Sequence, residues 1–216
     1  ILMGDKVILA IETSTKICGS ALIKGDSCIA LKEECVPRKH AELLPSFVNS
    51  VLSNADIKQN MIDAVAVSIG PGSFTGLRIG LGFAKGFAYA NKVPILPVPS
   101  FEAMAFYFGH TNPIHGLFFS HGENAFYQKF SWNDQIPISL LKPKMINMND
   151  SRHYINKKGN LFHWMCEKWI PDELKIFKAT PSAKEIGILG SKRYNDLIVN
   201  TPFTLEPNYI APFKIK

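Results

Sequence analysis

The chain has 216 residues, 46% hydrophobic and 19% charged, which supplies apolar content for a real core and argues against disorder. No apolar run reaches the roughly 18 residues of a membrane span, and the start lacks the charged region and apolar core of a leader segment. The formal net charge of +6 is uneven: residues 1–109 hold ten Lys/Arg and nine Asp/Glu, residues 110–216 fourteen and nine. A mildly basic second half fits work beside RNA, yet no basic–aromatic cluster of an RNA-reading module accompanies it, and an ordinary solvated surface explains it as well. The chain opens Ile1-Leu2-Met3, so Met3 is expected as the native start and the cytoplasm as the location. Cys18, Cys28, Cys35 and Cys166 have no CxxC spacing and are expected as reduced thiols.

In chain order, Val7–Ile11, Gly19–Ile23 and Cys28–Glu34 read as strands, with turns at Ser14–Lys16 and Lys24–Asp26. From His40 to about Asn54, Leu44, Phe47, Val48, Val51 and Leu52 recur at helical spacing. Ala64–Ile69 reads as a buried strand. Phe74–Asn91 reads as a helix carrying Gly76, Gly80, Gly82 and Gly86, each costing roughly 1 kcal/mol against Ala unless another backbone packs close. Val93–Val98 is a further strand, and Ser100 can cap a helix to about Phe108. The texture changes near Gly109. Ile114–Phe119 and Ala125–Trp132 read as a hairpin, and a region spotted with Pro and Asn follows with weaker patterning.

The densest signal is Ser68–Gly80, SIGPGSFTGLRIG: strand, tight turn, helix start. Such a turn directs unpaired N–H groups toward an anion, which makes Gly70, Gly72 and Ser73 the anion-loop candidates; a βα loop with no ligand is the equal alternative. It is no Walker loop, because Leu77-Arg78 follows Gly76. The Rossmann spacing fails too, and Pro71 stands where a G-x-S-x-G elbow needs glycine.

This stretch resembles the signature of the bacterial TsaB (YeaZ) family of tRNA threonylcarbamoyladenosine biosynthesis proteins. Ile8–Thr15 (ILAIETST), His40–Pro45 (HAELLP) and Pro97–Ala105 (PVPSFEAMA) match in the family's order, and Leu205–Ile210 is similar to its closing strand. The resemblance implies an α/β, actin/Hsp70/sugar-kinase-like (ASKHA) fold with two lobes, the second reduced: 1–109 as the first lobe, 110–216 as the second. It implies a non-catalytic subunit that binds TsaD, with the ATPase TsaE docking on the pair, in forming threonylcarbamoyladenosine next to the anticodon of tRNAs reading codons that start with A. It also implies homodimers of the chain alone, only indirect contact with tRNA, no membrane, and no intrinsic cofactor, with room for ATP or ADP and Mg²⁺ at the junction with TsaD. The family joins through first-lobe helices, which makes Leu43, Phe47, Arg78, Gly82 and Lys85 the partner-interface candidates.

Residue chemistry points the same way. Glu12-Thr-Ser-Thr15 keeps hydroxyls but lacks a glycine beside the acid, so a stabilised turn is the favoured reading over a Mg²⁺ site. The related catalytic protein TsaD carries His-x-x-x-His where this chain has Ser100 and Met104, so that metal site is expected to be absent. His110, His115 and His121 lack zinc spacing, and His40, expected near a helix N-terminus, has no nucleophile partner. Ser120-His121-Gly122 stands where family members often carry Asp-Ala-Arg, with Tyr127 retained. The rival readings are an ASKHA-type phosphotransferase, which needs two intact phosphate turns, and a metallopeptidase, for which no HExxH exists.

Overall fold

A computed structural model describes residues 5–109, 111–153, 160–170 and 176–210. It divides into two compact units, Ile1–Ser100 with Pro181–Pro207, and Phe101–Thr180 with Asn208–Lys216. This corrects the linear split expected at residue 109. The chain returns to its first unit after residue 180, because the second face of the first sheet is covered only by a late helix.

In the first unit the strands are β1 (Val7–Glu12), β2 (Ile17–Lys24), β3 (Ser27–Cys35), β4 (Ala64–Ser68) and β5 (Ile95–Val98). They form one sheet in the order β3-β2-β1-β4-β5. β1, β2 and β3 run antiparallel as a meander, while β4 and β5 join β1 in parallel. Helices α1 (His40–Asn54) and α2 (Phe74–Asn91) cover one face. There Leu9, Ile11, Leu22, Val65 and Val67 pack with Leu44, Phe47, Val48, Val51, Leu81 and Phe87. The i, i+3, i+4 recurrence of these helix residues is what seats both helices.

The opposite face presents small residues. Helix α3 (Ser100–Phe106) follows β5 and leads into the second unit. After that unit, α4 (Ala183–Lys192) and the short α5 (Tyr194–Leu197) return. Gly187 and Gly190 let α4 lie on the sheet: a Cβ on Gly187 would sit 2.4 Å from Ile23 Cγ1, and one on Gly190 3.1 Å from Ala66 Cβ. The sequence reading missed α4. The expected closing strand at Leu205–Ile210 is irregular chain, preceded by a 3₁₀ turn over Pro202–Thr204.

The second unit holds β6 (His115–His121), β7 (Asn124–Asn133), β8 (Ile136–Ser139), β9 (Lys144–Asn147), β10 (Leu161–Trp164) and β11 (Ile176–Lys178). The path is β11-β10-β6-β7-β8, with β9 also on β7. The β6–β7 hairpin forms as expected, its turn at Gly122 taking φ +58°. One face buries Leu117, Tyr127, Ile146, Leu161 and Cys166; the other buries an aromatic cluster of Phe101, Phe118, Phe126, Phe130 and Phe162.

Candidate functional site

Two turns meet at the C-terminal ends of the parallel strands β1 and β4. One, Thr13–Lys16, joins β1 to β2; the other, Ile69–Ser73, joins β4 to α2. Ser73 is the N-cap of α2, its Oγ accepting from Gly76 N at 3.3 Å. Ser73 N donates to Ser14 O at 2.7 Å, and Thr13 Oγ1 donates to Gly76 O at 2.8 Å. On the far side, Gly70 N donates to Ser100 Oγ at 3.1 Å and Ser100 N donates to Gly70 O at 2.9 Å. Gly70 takes φ +107°, a value that suits glycine alone.

The glycines have a steric purpose. A Cβ on Gly72 would lie 2.5 Å from Ser14 O, one on Gly76 2.1 Å from Thr13 O, and one on Gly80 2.2 Å from Thr13 Oγ1. The β1–β2 turn therefore rests directly on the first two turns of α2. Of the three anion-loop candidates, Gly70 and Ser73 already donate their N–H groups within the chain. The donors of Gly70, Ser73 and Gly76 are taken by the chain's own oxygens.

Glu12 ends β1 and is 1% exposed. Its Oε1 accepts from Ser14 N at 2.5 Å, and Thr15 Oγ1 accepts from Ile17 N at 3.1 Å, so these residues stabilise the turn as expected. Burial pushes the Glu12 carboxyl up to about 7, against the lowering effect of the Ser14 hydrogen bonds and with a further rise from Glu33. Glu12, Gly19 and Glu33 lie in one cross-strand row. Glu33 reaches over Gly19, where a Cβ would be 2.8 Å from its Oε1, and accepts from Ala183 N at the start of α4. Burial raises the Glu33 carboxyl, and the Ala183 N–H works in the opposite direction. The buried Ser20 hydroxyl has no hydrogen-bond partner among the described residues.

The interface candidates separate into three groups. Phe47 is 4% exposed and belongs to the core under α1, which corrects its assignment as a contact residue; its helical periodicity faces the sheet. Leu43 is half-buried against the same core. Lys85 is half-buried, its Nζ donating to Phe203 O at 3.0 Å. Arg78 and Gly82 lie on the exposed side of α2, with the Arg78 guanidinium 3.9 Å from the centre of the Phe74 ring. Among the described residues, nothing comes within 4 Å of a Cβ built on Gly82 or Gly86.

Ser100 is tied to Gly70, and Met104 is buried in the aromatic cluster, so neither position can supply imidazole. Among the described residues no three His, Cys, Asp or Glu side chains are grouped to hold a metal ion. His115 is buried, its Nδ1 3.0 Å from the Tyr127 hydroxyl, and His121 is exposed beside Ser120; His110 lies outside the described residues. His40 does not cap α1: its Nε2 lies 3.1 Å from Ile17 O, a carbonyl that only accepts, so that nitrogen carries the proton. All four cysteines are unpaired thiols, and burial pushes Cys18 and Cys166 up to about 12. No helix among the described residues is long and apolar enough to cross a membrane.

Comparison with known proteins agrees with this geometry. A family model described as TsaD, tRNA N6-adenosine threonylcarbamoyltransferase, matches residues 33–132. The tRNA threonylcarbamoyladenosine biosynthesis protein TsaB of Haemophilus influenzae is 36% identical over 104 residues, 48% of this chain and 43% of that protein. TsaB of Escherichia coli is 39% identical over 98 residues, 45% of this chain and 42% of that protein. The match thus spans less than half the length of these curated relatives. YeaZ from Pseudomonas aeruginosa superposes with a TM-score of 0.81 at 20% identity, covering 94% of this chain and 99% of that one. A second structure, an uncharacterized protein with similarity to peptidase YEAZ from the same species, gives 0.84 at 20% identity, covering 95% and 100%. The fold is an α/β fold of two units shared with the YeaZ structures. Over about its first half the chain is similar in sequence to TsaB proteins.

Proposed function

We propose that this chain is a non-catalytic subunit that binds a TsaD-type transferase and supports its formation of threonylcarbamoyladenosine on tRNA in the cytoplasm. The observation that carries the reading is the outer side of α2. Gly82 and Gly86 are costly in a helix, and among the described residues nothing stands within 4 Å of a Cβ at either position to justify them. Glycines spaced i, i+4 on an exposed face let a second helix approach closely. The β1–β2 turn packed onto α2 and the buried Glu12, which accepts from Ser14 N, support the non-catalytic part. Any ATP or ADP with Mg²⁺ is then held from the transferase side of the junction, and TsaE acts on the assembled pair.

Reconstitution tests this directly. With the transferase and TsaE of the same organism, tRNA and threonylcarbamoyl-adenylate, modified adenosine is expected only when this chain is present. Gly86→Leu, which fills the open space, is expected to abolish the effect. Equal yield without the chain would end the reading, and turnover by the chain alone would restore the phosphotransferase rival.

A further inference from the structure

Helix α4 begins beside a buried carboxyl. Glu12, Gly19 and Glu33 stand side by side across β1, β2 and β3. Gly19 has no side chain, and the space it leaves is filled from two sides. A Cβ there would lie 2.8 Å from Glu33 Oε1 and 3.3 Å from Ala183 Cβ. Ala183 is the first residue of α4, and its N–H donates to Glu33 Oε1. Ser182 Oγ caps Lys184 N from within this turn, whereas Glu33 ties the turn to the sheet. The other end of α4 is fastened separately, by Ser191 Oγ donating to Gly25 O at 2.6 Å and Lys192 Nζ donating to Asp26 at 2.7 Å. Its two ends can therefore part from the sheet independently.

We propose that the first turn of α4 is a proton-gated latch: it stays seated while Glu12 is neutral and lets go when Glu12 ionises, admitting water to the end of β1. Glu33 is the like charge beside Glu12 on β3, and Ser14 and Ser68 stand by it on the β1–β2 turn and β4. From α4, Glu185 and Lys184 act on Glu33 with opposite signs. On β2, burial and Glu12 itself keep Cys18 a neutral thiol. Burial is the main force that lifts the Glu12 carboxyl to about 7, and hydration relieves it. A charge on Glu12 repels the Glu33 carboxylate, which swings out to solvent only by giving up the Ala183 N–H. Seating favours the neutral acid. Opening therefore grows as pH rises from the ordinary Glu value of about 4.3 and levels off above about 7. The latch holds the point where the chain re-enters the first unit at Pro181.

Amide hydrogen exchange on the full-length chain, read by NMR, tests this residue by residue. Ala183 and Ile186 report the first turn, and Val65, whose N–H donates to Pro94 O at 3.0 Å, reports the sheet. Urea below the unfolding transition is expected to lower protection at Val65 and leave Ala183 and Ile186 unchanged, as a local opening requires. Corrected for intrinsic rates, first-turn protection is expected to fall about fiftyfold from pH 5 to 7.5 in the wild type and to stay level in Glu12→Gln. Gly19→Ala, which pushes the Glu33 carboxylate aside, is expected to lower first-turn protection at pH 5 about tenfold. Protection that is level with pH in the wild type, or that tracks Val65 through urea, would overturn the latch. Equal pH profiles in wild type and Glu12→Gln would do the same. Where Glu12→Gln does not fold, wild-type protection at Ala183 in Gly19→Ala overturns it alone.

Discussion

Glu12 is an acid whose proton the fold holds more tightly than water does. Its carboxyl, pushed up to about 7, takes up a proton more readily in the folded state than in the unfolded chain, where an ordinary Glu titrates near 4.3. Its contribution to stability is therefore full below the unfolded value and is lost as pH rises through about 7. The lost contribution is on the order of 3 kcal/mol. Glu12→Gln keeps the shape without the titration. Urea titrations followed by far-UV circular dichroism should show wild type losing stability relative to Glu12→Gln from about pH 5 to 8; parallel curves would refute the assignment. Gly76→Ala meets Thr13 O at 2.1 Å, so calorimetry should show it destabilised by about 3 kcal/mol, whereas Gly82→Ala, with open space, should be neutral or stabilising. The glycine string itself was visible in the sequence, but what faces each glycine was not. Spacing alone cannot separate Gly76, pressed by a carbonyl, from Gly82, pressed by nothing.

At the scale of elements, the parts with strong periodicity or β-branched runs were legible. The β1–β2–β3 meander, α1, β4, α2, β5 and the β6–β7 hairpin all fall within a few residues of their expected bounds. Helix α4 escaped because Gly187 and Gly190 occupy the positions where an apolar stripe would announce a helix against a sheet. The signal that could have found it is local: Ser182 before Ala-Lys-Glu is an N-cap followed by an acidic first turn, and Ser182 Oγ does accept from Lys184 N at 3.1 Å. The fit of α4 predicts that Gly187→Ala, 2.4 Å from Ile23 Cγ1 and 2.8 Å from Ala10 Cβ, costs about 2 kcal/mol in a chemical melt. A melt unchanged by that substitution would mean α4 sits further from the sheet. Phe47 shows the complementary failure. A helix stripe marks which residues share a face, and tertiary structure decides whether that face meets the sheet or a partner.

Across the whole molecule, the two units respond to acid in opposite directions. Burial lowers His115 and His163 in the second unit, with Lys129 adding to the effect at His115 and Lys178 adding to it at His163 against the pull of Glu167. Neutral imidazoles stabilise that unit above the ordinary histidine value of about 6.5, and the contribution is lost as pH falls below it. All three tryptophans, Trp132, Trp164 and Trp169, lie in that unit, so tryptophan fluorescence reads it selectively. Its urea midpoint should fall from about pH 7 to 5, over the range where Glu12 favours the first unit; a flat midpoint would mean the histidines are solvated. The first unit is also discontinuous. Residues 1–100 alone leave Ala10, Ile23 and Ala66 uncovered, so a fragment ending at Ser100 should lack a cooperative melt until residues 181–207 are supplied.

That discontinuity has a consequence during synthesis. Phe101–Thr180 must all be translated before α4 exists, a delay of roughly 4 to 16 s at ordinary ribosome speeds. For that interval the nascent first sheet carries a bare apolar face, including Ala10, Ile23, Ala66, Leu96 and Val98, open to chaperones and to other nascent chains. Emergence of the last segments from the ribosome, rather than of the first hundred residues, sets when this protein becomes safe from misassembly.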